Sequence, residues 1–239
     1  RERDGLPKSN KEYGKQEYWE ERFTKEDEFE WLVTYKEVET QLARFLTKQS
    51  KILVVGCGNS SFSSELYDAG YECITSLDYS KNVIASMKEK NDQIRPGMEW
   101  VVMDMTDMSS ISNNYYDVVI DKAAMDALMT AERDVWNPDQ GVIDSSRKMC
   151  RHLSRILKIG GYHLHISFAQ PHFRKKYLLG QHSLGHDVEP MKETKFKDSP
   201  CLDCGEYSTE FGWDYCVENI GDDEDGGFYH FLYIMKKHM

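Results

Sequence analysis

Leu53-Val54-Val55-Gly56-Cys57-Gly58-Asn59-Ser60 is the stretch on which the fold turns. A short β-rich run over 51–55 enters a Gly-x-Gly turn, and the residues over 60–69 then take up helical periodicity. Glycines let a backbone approach a ligand closely, and a helix N-terminus behind them offers free N–H groups and the positive end of a dipole. A polar or anionic ligand is therefore expected at Gly56 and Gly58. The dinucleotide fingerprint needs a third glycine for tight helix–strand packing, whereas positions 56–61 read Gly-Cys-Gly-Asn-Ser-Ser, which disfavours a nicotinamide dehydrogenase.

Outward from this turn the pattern alternates. Strands are predicted over 72–77, 100–103 and 117–120, with helices over 81–91, from 123, and over 144–157. Gly160-Gly161 reads as a helix stop, with a strand over 162–168 behind it. Further strands over 211–220 and 228–236, joined by the Gly-rich acidic turn 221–227, predict a hairpin. Upstream, Tyr18, Trp19, Phe23, Phe29, Trp31, Val38, Leu42, Phe45 and Leu46 suggest helical segments. The expected fold is α/β, a doubly wound, mostly parallel seven-stranded sheet with a C-terminal antiparallel hairpin. Residues 1–12 read as a flexible arm and 13–239 as a single domain, with an irregular excursion at about 178–209.

The 239 residues suffice for one substantial core. A net charge of −11 argues against nucleic acid as the main partner, since phosphate binding draws on clustered cations. A basic protein surface or a small molecule fits better. The mean hydropathy of −0.66 and the lack of an apolar run of about 20 residues argue against a membrane span. Six scattered cysteines do not make a dense disulfide framework, and a reducing, cytoplasmic location is expected. Cys201, Cys204 and Cys216, with His182 and His186, are donor types that bind zinc, but a second complete pair at diagnostic spacing is missing, and no metal is assigned.

Asp78 closes the second strand, where a carboxylate can accept from both hydroxyls of a ribose. Asp104 ends the third strand at the same sheet edge, within reach of an adenine amino group. Asp121-Lys122 ends the fourth, and Lys122 could pair with a ligand carboxylate. Each residue has an ordinary structural alternative as a cap or a solvated strand end. Ligands of open α/β sheets bind where these four positions converge, at the switch point of strand order.

The chain resembles the seven-β-strand methyltransferases, and within them the methyltransferase-like group that modifies lysines of translation elongation factor 1-alpha. The resemblance rests on Glu17-Tyr18-Trp19-Glu20-Glu21-Arg22-Phe23, Glu30-Trp31, Gly56-Cys57-Gly58-Asn59-Ser60, Asp78-Tyr79-Ser80, Asp121-Lys122 with Asp126-Ala127-Leu128, Pro171-His172-Phe173-Arg174 and Gly227-Phe228-Tyr229-His230-Phe231. It implies that S-adenosyl-L-methionine is held by Trp19, Phe23 and Trp31 from an N-terminal cap, by the turn at Gly56 and Gly58, by Asp78 and Tyr79 at the ribose, by Asp104 and Met105 at the adenine, and by Lys122 at the methionine end. S-adenosyl-L-homocysteine would be the product. The implied partner is a protein, translation elongation factor 1-alpha among the candidates. Aromatic faces attract cations, which suits a sulfonium, although Trp and Phe at helical spacing are also ordinary core. Asp121 is the first candidate for a catalytic carboxylate beside an acceptor lysine, and Asp126 the second. The segment over 178–209 does not match the family. A small-molecule methyltransferase and a non-catalytic S-adenosylmethionine-binding scaffold remain alternatives.

Overall fold

The computed structural model describes residues 7, 9–131, 138–180, 203–221 and 230–238. Five parallel strands carry the site: β1 (Ile52–Val55), β2 (Ile74–Asp78), β3 (Glu99–Val102), β4 (Tyr116–Lys122) and β5 (Leu157–Ser167). Three antiparallel strands complete the sheet: β6 (Asp203–Ser208), β7 (Trp213–Ile220) and β8 (His230–Lys237). Their order is β3-β2-β1-β4-β5-β8-β7-β6. The chain reverses direction across the sheet between β1 and β4, which opens a crevice at their carboxyl ends.

Helices cover both faces: α1 (Gln16–Lys25), α2 (Tyr35–Leu42), α3 (Phe62–Asp68), α4 (Lys81–Asn91), α5 (Ala124–Met129), α6 (Gln140–Ile156) and α7 (Pro171–Leu179). β1 explains the arrangement at residue level. Ile52 and Val54 join one core with Val38, Leu42 and Phe62, whereas Leu53 and Val55 join the opposite core with Met149, Leu153 and Tyr177. A strand whose alternate side chains both find an apolar layer must be apolar throughout, which is why Ile-Leu-Val-Val shows no polar alternation. On α6, Val142, Ser146, Met149, Cys150 and Leu153 repeat at helical spacing and are all buried.

Four expectations change. Among the described residues the sheet has eight strands, because Asp203–Ser208 pairs with β7, and α7 runs on to Leu179. β6 lies within the stretch read as irregular, and α7 ends just inside it. The polar sequence of β6, DCGEYS, has no apolar run to announce a strand, and pairing with β7 is what orders it. Next, Gly160-Gly161 does not stop a helix. α6 ends at Ile156, and the glycines sit inside β5 where the pairing with β4 jumps from Tyr116↔Leu157 to Val118↔Tyr162. Gly160 has φ of 80°, and a Cβ on Gly161 would lie 2.7 Å from the Asp117 carbonyl oxygen, so both positions require glycine. Third, Phe29 and Trp31 lie in irregular chain between α1 and α2 rather than in a helix. Last, residues 10–12, read as part of the arm, belong to a 3-10 turn over Asn10–Gly14 capped by Ser9. The expected turn over 221–227 lies outside the described residues beyond Gly221.

Candidate active site

Segments from the N-terminal cap, the strand ends, the starts of α5 and α6 and Phe168 meet above the carboxyl ends of β1, β2 and β4 and enclose a cavity of about 650 Å³. The turn after β1 forms its floor. Gly56 (φ 58°) and Gly58 (φ 54°) adopt left-handed backbone, and a Cβ on Gly56 would come within 2.5 Å of the Ala124 Cβ. A side chain there would fill the space in which a ligand can approach the backbone. Asp78 sits beside the turn. Its Oδ2 accepts the Gly58 N–H at 3.0 Å and its Oδ1 the Ser80 N–H at 2.9 Å, so the carboxylate ties the turn to the start of α4 while keeping lone pairs for hydroxyl donors. Burial pushes its pKa up to about 6, against the pull of these backbone donors.

The N-terminal segment closes the top. Trp19 and Phe23 stack with ring centroids 5.5 Å apart, Trp31 lies edge-on to Trp19, and Phe23 packs over Gly58. The outer side of this aromatic group holds Arg22. Its guanidinium lies 5.0 Å from the Trp31 ring centroid and 4.9 Å from that of Phe29, and is paired with Glu26 at 2.8 Å. Glu20 fastens the cap, accepting from the Ser80 hydroxyl at 2.8 Å and the Lys81 N–H at 3.0 Å at the start of α4.

Trp19, Phe23, Trp31, Gly56, Gly58, Asp78, Tyr79, Asp104, Met105 and Lys122 all line this one cavity. Asp104 is exposed and turns its Oδ1 back to Thr106, at 2.7 Å from the backbone N–H. Lys122 is buried and paired with Glu30, and it donates to the Trp31 carbonyl at 2.9 Å. Burial lowers its pKa, with Glu30 opposing. Glu30 also accepts from the Ser60 hydroxyl at 2.8 Å and so joins cap, turn and β4. Glu30 has no spacing signal as a site residue, because it lies in irregular chain and gains its role only from the buried lysine.

Asp121, the first candidate for a catalytic carboxylate, does not line the cavity. It is fully buried, its Oδ1 accepts the Ala124 and Met125 N–H groups at the start of α5, and His165 Nδ1 lies 2.9 Å from Oδ2, misaligned for a hydrogen bond. Burial would raise its pKa, but the neighbouring His165 and His163 hold it below the ordinary carboxylate value. A group committed to capping a helix and enclosed on all sides has no path to an acceptor. Asp126, the second candidate, does line the cavity. Of the zinc donor types, His182, His186 and Cys201 lie outside the described residues, and Cys216 is disulfide-bonded and so offers no thiolate.

The site and the fold have parallels among known proteins. The family model described as "Methyltransferase domain" matches residues 52–138. The chain is 40% identical over 173 residues to the eEF1A lysine and N-terminal methyltransferase of Mus musculus, covering 72% of this chain and 24% of that protein. It thus spans about a quarter of the length of that relative. It is 32% identical over 175 residues to EEF1A lysine methyltransferase 4 of Mus musculus, covering 72% of this chain and 68% of the relative. A SAM-dependent methyltransferase structure from Methanosarcina mazei superposes with a TM-score of 0.53 at 18% identity, over 83% of this chain and 97% of that one, a likeness of fold alone. With two thirds of a relative covered above 30% identity, and with the glycine turn, the strand-end acid and the sheet order all in place, the chain belongs to the class I S-adenosylmethionine-dependent methyltransferases and resembles the eEF1A lysine methyltransferases among them.

Proposed function

We propose that the chain is a protein-lysine N-methyltransferase that binds S-adenosyl-L-methionine and acts on translation elongation factor 1-alpha in the cytoplasm. The observation that carries the reading is the convergence on one cavity of the glycine turn, the strand-end acids Asp78 and Asp104, Lys122 and the aromatic cap, with no room for a Cβ at Gly56. The residues fit the cofactor. Asp78 has acceptor capacity for the ribose hydroxyls beside the turn, with Tyr79 next to it; Asp104 and Met105 would flank the adenine, and Lys122 with the cap residues would bound the methionine side. Bound there, S-adenosyl-L-methionine supplies an electrophilic methyl group on sulfur.

The chain's own task is to hold an acceptor in line with that methyl group, keep water out and let a proton go. A lysine of pKa about 10.4 needs roughly 4–5 kcal/mol to expose its lone pair at pH 7, which desolvation against an aromatic-lined wall and a fixed hydrogen-bond acceptor would reduce. The names of the mouse relatives support a lysine of the elongation factor as acceptor. The net charge of −11 suits approach to a basic protein surface. None of the described helices is long and apolar enough to cross a membrane.

The test is calorimetric titration with S-adenosylmethionine, S-adenosylhomocysteine and NAD, followed by mass spectrometry of elongation factor 1-alpha incubated with the chain and S-adenosylmethionine. Micromolar binding of the first two, none of NAD, and a 14 Da gain per methyl group on a lysine are expected from a methyl replacing a hydrogen. Binding without any such gain would leave the scaffold reading, and no binding would overturn the cofactor assignment.

A further inference from the structure

In the cofactor reading, adenine, ribose and methionine lie in turn over the carboxyl ends of β3, β2, β1 and β4, and the next strand in the sheet is β5. β5 ends at Ser167, and the residue after it, Phe168, lines the cavity two positions past Ile166, the partner of Lys122 in the ladder. The side left to a methyl acceptor is thus the one beyond β4, where Phe168 stands. Ala127 and Leu128 of α5 and Val142 of α6 add apolar surface to the same cavity, and the one cation among its described lining residues, Lys122, is paired with Glu30. Such a lining suits an acceptor that is apolar along its length and offers nothing to an anionic one.

Phe168 is 59% exposed and belongs to neither apolar core, so it sits at the rim of the cavity. An exposed apolar side chain is ordinary by itself. What distinguishes this one is that the backbone on both sides of it is fixed. Before it, the Ser167 hydroxyl donates to Asp126 Oδ1 at 2.6 Å, and the same carboxylate oxygen accepts from Arg174 Nη2, also at 2.6 Å. After it, the Ala169 N–H donates to Ser167 Oγ at 2.9 Å, and the Ala169 carbonyl accepts from the Tyr233 hydroxyl. α5, α7 and β8 thus pin the two residues that flank Phe168, and a ring presented on fixed backbone loses little further freedom when a ligand packs on it.

We propose that Phe168 is a specificity-determining residue of this site, its ring being the surface on which the methylene stem of an acceptor lysine is laid as the amine passes in towards the methyl group. The inference rests on the methyltransferase reading and adds to it the residue that meets the acceptor's stem. A phenyl ring and a run of methylenes exclude water from each other without any polar partner, and the amine at the end of the stem stays clear to reach the cofactor. A short amine forgoes that contact, so the preference is for a long, unbranched primary amine. Ser167, Asp126 and Arg174 act through the backbone of this turn and are positioning residues.

Calorimetry on the whole chain tests this with two cofactor analogues in which nitrogen replaces sulfur. One carries an aminoethyl arm and the other a butylaminoethyl arm, whose four-carbon stem stands for that of lysine. The wild-type chain should bind the stemmed analogue about tenfold more tightly, on the order of burying two of its methylene groups. Phe168→Ala, at a position outside both cores, should remove most of the difference and leave S-adenosylhomocysteine affinity unchanged. Equal affinity of the two analogues in the wild-type chain overturns the inference, and so does a difference that survives Phe168→Ala. Failure of S-adenosylhomocysteine to bind the wild-type chain overturns the cofactor reading and the inference with it. The expected affinities together with an unmethylated elongation factor would uphold the role of Phe168 and overturn only the choice of acceptor protein.

Discussion

Asp78 carries two roles in one carboxylate, and they respond differently to pH. It ties the Gly58 and Ser80 N–H groups together and is the residue best placed for ribose hydroxyls. Asp78→Ala should therefore weaken S-adenosylhomocysteine binding by about 1–3 kcal/mol, the worth of two hydrogen bonds at about 0.5–1.5 kcal/mol each, read by calorimetry. Unchanged affinity would move the ribose elsewhere. With its folded pKa raised to about 6, above the ordinary carboxylate value of 3.8, the native state keeps a proton in this window that the unfolded chain has lost. Its contribution to stability is thus greatest below pH 3.8 and declines as pH rises towards 6. Ligand affinity should run the other way, because protonation removes acceptor capacity, and the dissociation constant should rise as pH falls below about 6. A flat affinity between pH 5 and 7 would contradict this. Glycine at 56 and aspartate at 78 were legible in the sequence, since turn and strand end announce them. Glu30 was not, because its partners Lys122 and Ser60 are distant in the chain.

At the scale of elements, the cap is fastened to the rest of the domain at several points, Glu30 to Lys122 and Ser60 among them. α1 reaches α4 through Glu20, whose carboxylate lies at the N-terminus of α4, where helix N–H groups lack internal partners. Hydrogen bonding from Ser80, Lys81 and Asn82 holds the Glu20 pKa down in spite of some burial. Glu20→Ala should free α1, raising amide hydrogen exchange over Gln16–Lys25 and weakening S-adenosylhomocysteine binding severalfold while strands β1, β2 and β4 stay protected. Exchange in α1 equal to wild type would show that the aromatic packing alone holds the cap. Helices such as α4 and α6 could be read from periodicity. The end of α6 could not, because glycines that normally stop a helix serve here as a bulge in a ladder.

For the whole molecule, the antiparallel edge supports the parallel half rather than forming a separate unit. Trp213 of β7 is fully buried, donates from Nε1 to the Leu178 carbonyl of α7 at 2.8 Å, and shares a core with Leu53, Val55 and Leu153. Trp213→Ala should cost about 3–5 kcal/mol in urea unfolding, through a cavity and an orphaned carbonyl. Because Trp213 does not line the cavity, S-adenosylhomocysteine affinity of the folded fraction should not change; a loss there would mean that the edge strands shape the site.

Local chemistry determined what could be read in one dimension: strands from continuous apolar runs, the glycine turn from the strand that feeds it, and the acids at strand ends from their spacing. These follow from backbone sterics and from burial on both faces, which act on neighbouring residues. Only the tertiary structure decided that Asp121 caps a helix, that Asp126 is tied to Ser167 and Arg174, that Lys122 pairs with Glu30, and that a polar stretch becomes β6. Whether a carboxylate is enclosed or open, and which cation neutralises it, depends on residues brought together by the sheet from positions tens of residues apart. That information resides in packing and in charge pairing across elements, to which spacing along the chain is blind.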